Sequence, residues 1–324
     1  MSTQLPYYSA DDIRVALPVP QAIEVMRAAF AALHAGRVTM PVRLGMPTPK
    51  GLSLFMPAYI AAGEDTPTAL GQKVVHVFTG NPARGLPTIH ALVTLFDAET
   101  GVPRALLEGT YLTALRTAAV TGLATQLLAN PDAHTLAVFG AGGQASLQIE
   151  AVCAVRDIRA VRIISRGESA GMLADRLQAA DPGRTYRASN DTREETVRWA
   201  DVIVTSTTSS MPLFGGSLVR AGTLVNAIGA FTPNVREVDS VLLNRATVVV
   251  DNRAAALHEA GDFLIPIAAG EWKAAQIAAD LGELVSGACS VPYDGRRITF
   301  FKSNGLAVED IAAASAVVSQ AERK

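Results

Sequence analysis

The sequence predicts an α/β protein with two domains: a Rossmann-type doubly wound parallel sheet and a second α+β domain. Its 324 residues exceed the ~250–300 residues at which single cores usually stop growing. After residue 135, strand patterns alternate with helix patterns, which is typical of a parallel sheet covered by helices. A buried strand also leads directly into a glycine-rich turn at residues 140–145, as in the first crossover of such sheets.

The N-terminal part carries helix patterns and strand patterns. Ser9 is a capping residue that starts one helix, and apolar residues at three-and-four spacing between Ala22 and Leu33 predict a second, which Gly36 ends. Short apolar runs bounded by Pro and Gly predict strands of an antiparallel or mixed sheet at residues 52–57, 70–78 and 89–96. Small residues at 110–128 predict a third helix.

The remainder alternates between strands and helices. Strands are predicted at residues 136–139, 161–165, 201–206, 223–228, 247–250 and 298–301. Helices are predicted at residues 144–155, 168–180 and 307–320. We expect the last helix to return to the first domain, which then covers residues 1–125 and 306–324, with the Rossmann domain at 126–305.

The bulk composition narrows the class of protein. Hydrophobic residues make up 49% of the chain and charged residues 18%, as in a well-buried enzyme. The formal net charge of −2 provides no basic field, so we expect no nucleic-acid partner. The only cysteines, Cys153 and Cys289, are too few for a disulfide framework or a zinc site, which favours a reducing, cytoplasmic setting without a metal. No apolar run approaches ~18 residues, so we expect no membrane partner.

The glycine-rich turn is the sharpest local signal. Residues 136–145 read Leu-Ala-Val-Phe-Gly-Ala-Gly-Gly-Gln-Ala. Gly140 permits a tight turn, Gly142 lets the backbone approach a pyrophosphate, and Ala145 lets the following helix pack closely. Phosphates would then meet the positive end of that helix. We therefore predict a nicotinamide dinucleotide site at this turn.

The end of the next strand predicts the kind of dinucleotide. An Asp or Glu at that position accepts a hydrogen bond from the ribose of NAD, whereas this chain carries Ser165 and Arg166. A guanidinium can bind a 2′-phosphate in bidentate fashion. NADP(H) is therefore the preferred cofactor and NAD(H) a possible one. The alternative is that Arg166 is an ordinary exposed loop residue.

Three cationic residues of the first domain lie in otherwise apolar segments of the sequence: Arg43, Lys73 and Arg116. A buried cation is costly unless it is paired or functional, and a guanidinium binds a small carboxylate in a fork. We predict that the three converge on the carboxylate of an amino or imino acid. The alternative for Lys73 is that strand alternation turns it to solvent. His76 and His90 also lie on predicted strands, where a structural role is the commoner one.

Several separated segments resemble the ornithine cyclodeaminase/mu-crystallin family, and the match spans essentially the whole chain. They follow in the family's order at Lys73 with residues 81–88, then at 96–101, 112–118, 139–144 and 301–310. Ordered motifs are far more specific than a single glycine turn. The resemblance implies a homodimer in which the first domain makes the dimer contact and much of the substrate pocket.

The resemblance also implies roles for individual residues. Arg43, Lys73 and Arg116 resemble the family's ligands for the substrate carboxylate and are the candidate catalytic residues. The residues of the glycine turn, the residues that follow the next strand and the positions that resemble the family's cofactor contacts give the candidate cofactor site: Thr88, Arg116, Thr117, Gly140, Gly142, Gly143, Gln144, Ser165, Arg166, Thr207, Ile228 and Ser303.

Two positions depart from true cyclodeaminases. Leu54 stands where these carry a Glu, and Phe231 stands where they carry an essential Asp. Without that carboxylate, the deamination and cyclisation of ornithine lose an acid/base group. The segments at 56–59 and 229–237 are instead similar to ketimine reductases and mu-crystallins. This resemblance implies NAD(P)H-dependent reduction of Δ1-pyrroline-2-carboxylate or Δ1-piperideine-2-carboxylate to L-proline or L-pipecolate.

Three alternatives stay open. The chain could be an ornithine cyclodeaminase, which converts L-ornithine to L-proline and ammonia, or an alanine-type amino-acid dehydrogenase. It could also be a non-catalytic NADP-binding protein, like the lens crystallins of the family. Retention of Arg43, Lys73 and Arg116 argues against the last alternative.

Overall fold

The computed structural model describes residues 4–189 and 191–323. They form two compact units: the first extends to Ala119 and resumes at Gly305, and the second is Val120–Asn304. From the sequence, we expect the boundaries after residues 125 and 305. The chain leaves its first unit once and returns to it for its last helix.

The described residues form helices and strands of both expected kinds. The helices are α1 (Ala10–Ala16), α2 (Val19–His34), α3 (Gly109–Leu128), α4 (Ala145–Val155), α5 (Ser169–Ala180), α6 (Arg193–Trp199), α7 (Ser240–Arg245), α8 (Arg253–Glu259), α9 (Gly261–Ala268), α10 (Leu281–Val285) and α11 (Ala307–Glu322). The strands are β1 (Tyr7–Tyr8), β2 (Val38–Thr39), β3 (Leu44–Thr48), β4 (Gly51–Ile60), β5 (Ala69–Val77), β6 (Ile89–Phe96), β7 (Pro103–Glu108), β8 (Thr135–Phe139), β9 (Ala160–Ile164), β10 (Thr185–Ala188), β11 (Val202–Thr205), β12 (Leu224–Ala227), β13 (Ala246–Val250), β14 (Ile277–Asp280) and β15 (Ile298–Lys302).

The first helix begins, and the second ends, where the sequence predicts, and α2 begins three residues before the predicted apolar pattern. The Ser9 side chain accepts a hydrogen bond from the backbone N–H of Asp12, and the Asp12 carboxylate accepts one from the backbone N–H of Ser9 at 2.8 Å, so α1 starts with a capping box. The apolar stripe of α2 is buried, including Ile23 and Met26. Gly36 follows α2 with a φ of 70°, the left-handed conformation that terminates helices.

The first unit contains a mixed sheet, as predicted. Its strand order is β1-β7-β6-β5-β4-β2, and β3 also pairs with β4. All these pairs are antiparallel except β1 with β7, which run parallel.

The two faces of this sheet differ in burial. One face packs against α11 and is buried along β4 and β5. The opposite face, called here the open face, carries Leu44, Phe55, Val74 and Leu92 as cross-strand neighbours. Leu44 is 65% exposed and Leu92 is 40% exposed. The open face is therefore an apolar surface that the described residues of this chain do not cover.

The second unit contains a parallel sheet, as predicted. Its strand order is β10-β9-β8-β11-β12-β15-β13-β14, and every pair within the described residues is parallel. Counted from β8, its first five strands follow the order 3-2-1-4-5 of doubly wound dinucleotide-binding sheets, and β15, the last strand in the chain, takes the sixth position. Buried apolar side chains such as Ile203, Val225 and Phe300 form the core. The predicted fold class is confirmed.

Some elements carry no clear signal in the sequence. These include β3, which contains Gly45 and Pro47 and is largely exposed, and the short helices α6 to α10. The helix α6 is held by a capping box between Thr192 and Glu195. Seven residues span only two turns, too few for an apolar period to be recognised.

Within the described residues, no single helix is long and apolar enough to cross a membrane. The helices α1 and α2 are together long and apolar enough to do so, but the chain bends by 80° between them.

Candidate active site

Lys73 lies on β5, on the buried face of the first sheet. Burial alternates along the strand and includes position 73, and Lys73 is only 1% exposed. Its Nζ lies 2.6 Å from Oδ2 of Asp310, near the start of α11. The alternative that Lys73 faces solvent is therefore wrong, because the side chain is both buried and paired.

Arg116 lies on α3 and contacts the same carboxylate. Its Nε lies 2.9 Å from Oδ1 of Asp310, and its Nη1 lies 2.6 Å from Oε2 of Glu309. The other Glu309 oxygen accepts a hydrogen bond from the backbone N–H of Leu306 at 3.0 Å. Gly305 has a φ of 80°, and a Cβ there would collide with the guanidinium. The turn into α11 therefore requires glycine, and Glu309 both caps the helix and holds Arg116.

Lys73, Arg116, Glu309 and Asp310 form a buried, charge-balanced group, called here the cation–carboxylate cluster. Burial and the nearby Arg116 lower the pKa of Lys73 from 10.5 to about 8, against the opposing effect of Asp310. Burial also disfavours the charge of Arg116, but Asp310 and Glu309 outweigh it and raise the pKa of Arg116. A ligand carboxylate beside Nζ would favour the charged form of Lys73. Because the cluster holds two cations and two carboxylates, a ligand carboxylate would need one further cation to balance its charge.

Arg43 is placed near Lys73 by strand register. It directly precedes β3 and is half-buried. Leu44 pairs with Phe55, and the next residue, Met56, pairs with Lys73. Continuing that register by one residue puts Arg43 level with Lys73 and two strands away, or ~10 Å by ordinary strand spacing. Lys73 and Arg116, two of the three predicted cations, share the Asp310 carboxylate.

Two predicted cofactor residues also lie in the first unit. Thr88 is half-buried just before β6, and its carbonyl accepts a hydrogen bond from the backbone N–H of Phe78 at 2.8 Å. Thr117 follows Arg116 on α3 and is 8% exposed. Its hydroxyl donates to the carbonyl of Thr113 at 2.7 Å. Their contact with a cofactor stays a prediction.

The remaining predicted cofactor residues collect at one edge of the second sheet, called here the carboxyl edge. The last residues of its neighbouring strands pair in one row: Ile164, Phe139, Thr205, Ala227 and Lys302. The residues that follow them are Ser165, Gly140, Ser206, Ile228 and Ser303. Backbone hydrogen bonds of 2.8–3.1 Å continue the sheet at four of these positions: Gly140, Ser206, Ile228 and Ser303. Ligands of open parallel sheets bind at this edge.

The glycine turn leaves open space where a pyrophosphate would lie. Gly140 has a φ of 110°, and a Cβ there would collide with the backbone of Ser206. At Gly142 and Gly143, an added Cβ would meet nothing within 4 Å. The turn leads into α4, whose N-cap residue, Gln144, makes no side-chain capping bond. Exposed glycines before an uncapped helix start fit the phosphates of a dinucleotide.

Ser165 and Arg166 follow β9, the strand beside the glycine turn. The Ser165 hydroxyl lies 2.8 Å from that of Ser169, and Arg166 is exposed. The first acidic residue after the strand is Glu168, at the N-cap of α5. The geometry therefore brings Arg166 to the same edge as the glycine turn.

Sequence reasoning missed the acidic residues that support both sites. Glu309 and Asp310 are fully buried at the start of α11. Their signal was two adjacent acids in an alanine-rich helix, a costly pattern unless each acid has a partner. Glu237 is also fully buried and accepts hydrogen bonds at the carboxyl edge. It follows a loop with no local pattern, so no sequence signal marked it.

Two further observations bear on the chemistry. At the positions that depart from cyclodeaminases, Leu54 is buried on β4 and Phe231 is half-buried after β12. No group of three or more His, Cys, Asp or Glu residues that could hold a metal occurs within residues 4–189 and 191–323.

Comparison with known proteins identifies a family that matches nearly the whole chain. A model of the ornithine cyclodeaminase/mu-crystallin family matches residues 7–324. The chain belongs to this family. It is 39% identical over 97% of its length to a Δ1-pyrroline-2-carboxylate reductase of Bacillus cereus, of which it covers 95%.

Solved structures of similar proteins have the same fold. A Δ1-pyrroline-2-carboxylate reductase of Thermococcus litoralis, in complex with NADH and L-proline, is 34% identical and superposes with a TM-score of 0.92, with 98% of each chain covered. An archaeal alanine dehydrogenase dimer with bound NAD is 32% identical with a TM-score of 0.89, covering 98% of this chain and 96% of that one. Proteins of this fold therefore include both a Δ1-pyrroline-2-carboxylate reductase and an alanine dehydrogenase.

Proposed function

We propose that the chain is an NAD(P)H-dependent reductase of small cyclic imino acids. The substrate is Δ1-pyrroline-2-carboxylate or Δ1-piperideine-2-carboxylate, and the product is L-proline or L-pipecolate. The observation that carries the proposal is the buried cation–carboxylate cluster in a chain that resembles reductases of this imino acid across nearly its whole length.

In this proposal the first unit binds the substrate carboxylate. Lys73 and Arg116 are held in place by Asp310 and Glu309, so they are ordered before the ligand arrives. Such preorganisation lowers the entropic cost of orienting the substrate. Arg43, level with Lys73 in the sheet, supplies the third positive charge.

The second unit binds NADP(H) in preference to NAD(H). Gly140, Gly142, Gly143 and Gln144 would receive the pyrophosphate, and Arg166 would bind the 2′-phosphate. Thr207, Ile228 and Ser303 line the same edge from the neighbouring strands. The bound nicotinamide supplies the hydride that reduces the imine carbon.

The two departures from cyclodeaminases favour reduction over deamination. Removal of an amino group needs a residue that moves protons, and Leu54 and Phe231 cannot do so. A protonated imine accepts a hydride without a strong acid from the protein. The residues present therefore suit imine reduction better than cyclodeamination of ornithine.

We also propose that the protein is a homodimer formed through the open face of the first sheet. This apolar face places Leu44, Phe55, Val74 and Leu92 at paired positions on four neighbouring strands. Apolar surface of this kind is stabilised when a partner covers it. A second copy of the chain would bury the face symmetrically.

The decisive experiment is a substrate panel with the purified protein. NADPH and NADH oxidation would be followed with the two cyclic imino acids and with pyruvate, the latter with and without ammonia. L-ornithine with NAD would be tested separately for ammonia and proline. We expect the highest kcat/KM with a cyclic imino acid and NADPH.

Each alternative has its own outcome. Ammonia-dependent turnover of pyruvate that exceeds imine reduction would make the protein an alanine-type dehydrogenase. Ammonia release from L-ornithine would make it a cyclodeaminase. Binding of NADPH without turnover of any substrate would leave a crystallin-like binding protein.

A further inference from the structure

Glu237 is a buried carboxylate at the carboxyl edge to which the proposed function assigns no role. It is 0% exposed, and its two oxygens accept four hydrogen bonds of 2.8 Å. One oxygen accepts from the Thr205 hydroxyl and the Gly229 backbone N–H. The other accepts from the backbone N–H and the hydroxyl of Thr207. The carboxylate is thus surrounded by donors on both oxygens.

These donors come from the ends of two adjacent strands. Thr205 ends β11 and Thr207 follows it, while Gly229 follows the end of β12. A Cβ at Gly229 would collide with the backbone of Thr207 and lie against the Glu237 carboxylate. The two loops are therefore packed together around this one side chain. They carry Thr207 and Ile228, both proposed contacts of the dinucleotide.

Glu237 is itself held by Asp262 on α9, which connects it to a third strand. Asp262 accepts hydrogen bonds from the backbone N–H groups of Glu237 and Val238, at 2.8 and 3.1 Å. The other Asp262 oxygen lies 3.0 Å from Nζ of Lys302, the last residue of β15. Burial raises the pKa of Glu237, and the nearby Lys302 opposes that effect. The network therefore links the ends of β11, β12 and β15.

We propose that Glu237 is a positioning residue for the dinucleotide, which holds the loops after β11 and β12 in the shape that receives the cofactor. This inference rests on the proposed function, in which the carboxyl edge binds NADP(H). A carboxylate can accept from four donors, whereas an amide of the same shape must turn an N–H₂ group toward two of them. An unsatisfied buried donor is costly, so the loops would move apart.

The test is the variant Glu237→Gln, with NADPH binding measured by the fluorescence of the reduced nicotinamide. We expect the Kd for NADPH to rise about tenfold or more, the size of one lost hydrogen bond to a charged group. The KM for NADPH should rise with it, while the KM for the imino acid stays unchanged. If Glu237 only stabilised the fold, its replacement would not raise the KM for NADPH while leaving the KM for the imino acid unchanged.

Glu283→Gln is the matched control. Glu283 lies in the same unit, accepts a hydrogen bond from the backbone N–H of Asp280 at 2.8 Å and pairs with Arg253 at 2.9 Å. It caps α10, which follows β14, and β14 lies three strands away from β12 in the sheet. We expect this control to lower Tm without changing the Kd for NADPH.

A second variant covers the case in which Glu237→Gln does not fold. Thr205→Val removes one donor and keeps the shape of the side chain, so it should raise the Kd for NADPH by a smaller factor. An unchanged Kd in both folded variants, or in Thr205→Val alone when the other is unfolded, overturns the positioning role while the proposed function stands. A wild-type protein that binds neither NADPH nor NADH overturns both.

Discussion

Lys73 combines complete burial with neighbours of opposite charge. Asp310 favours its cationic form, whereas burial and Arg116 oppose it. Replacement by Ala removes the charge that meets the substrate carboxylate and leaves Asp310 with one partner fewer. We expect Lys73→Ala to reduce kcat/KM for the imino acid by about a hundredfold. Circular dichroism should show an unchanged fold, and a near-normal rate would remove Lys73 from the mechanism.

The same side chain predicts a dependence on pH. The pKa of Lys73 is lowered from 10.5 to about 8 in the folded protein, so the folded state releases its proton first as the pH rises. The contribution of Lys73 to the free energy of unfolding therefore increases with pH between these two values. Binding of a carboxylate needs the charged amine, so kcat/KM should fall above a pH of about 8. In Lys73→Arg, whose charge persists, this decline should disappear.

Arg166 sets the preference for the phosphorylated cofactor if its guanidinium binds the 2′-phosphate. We expect Arg166→Ala to raise the KM for NADPH about tenfold and to leave the KM for NADH nearly unchanged. Arg159→Ala is the matched control, because Arg159 is an exposed arginine just before the opposite end of β9. Equal effects of Arg166→Ala on NADPH and NADH would contradict the assignment.

At the scale of single elements, α11 organises the first unit. Glu309 and Asp310 lie at its start, and the helix packs against β4 and β5. Negative side chains are favoured at a helix N-terminus, where the backbone N–H groups point outward. The element that covers the sheet therefore also supplies the acids that hold Lys73 and Arg116.

The open face of the first sheet predicts the oligomeric state. A charge at its centre should prevent a second copy from covering it, so Leu92→Lys should convert a dimer to a monomer in light scattering coupled to size-exclusion chromatography. Leu92 is 40% exposed, so the single chain tolerates a polar residue there. Val15→Lys is the control, because Val15 is 68% exposed on α1. A monomeric wild-type protein, or a Leu92→Lys variant that remains dimeric, would rule out this interface.

At the scale of the whole molecule, the first unit is assembled from both ends of the chain. Arg116 and Asp310, which are in hydrogen-bond contact, stand 194 residues apart in the sequence. Contacts of such long range form late, because the intervening chain must be closed into a loop first. The cation–carboxylate cluster is therefore complete only after the C-terminal helix has docked.

Much of the molecule could be predicted from local patterns. The period of apolar residues marked α2, and the sequence from strand to glycine turn to helix marked β8, Gly140 and α4. These signals are local because hydrogen bonding within an element and burial of one face both act over a few residues. Short or polar elements such as β3 and α6 were not predicted, because they are too short or too polar to show an apolar period in the sequence.

The sequence by itself determined the fold class, the edge of the sheet at which a dinucleotide would bind and the unusual cations Lys73 and Arg116. Only the tertiary structure decided which way Lys73 faces and which carboxylates neutralise it. A strand has two faces that alternate residue by residue, and the local sequence of β5 fits either orientation. Asp310 determines the orientation of Lys73, because a buried cation is stable only beside an oppositely charged partner. Asp310 is distant from Lys73 in the sequence and close to it in space.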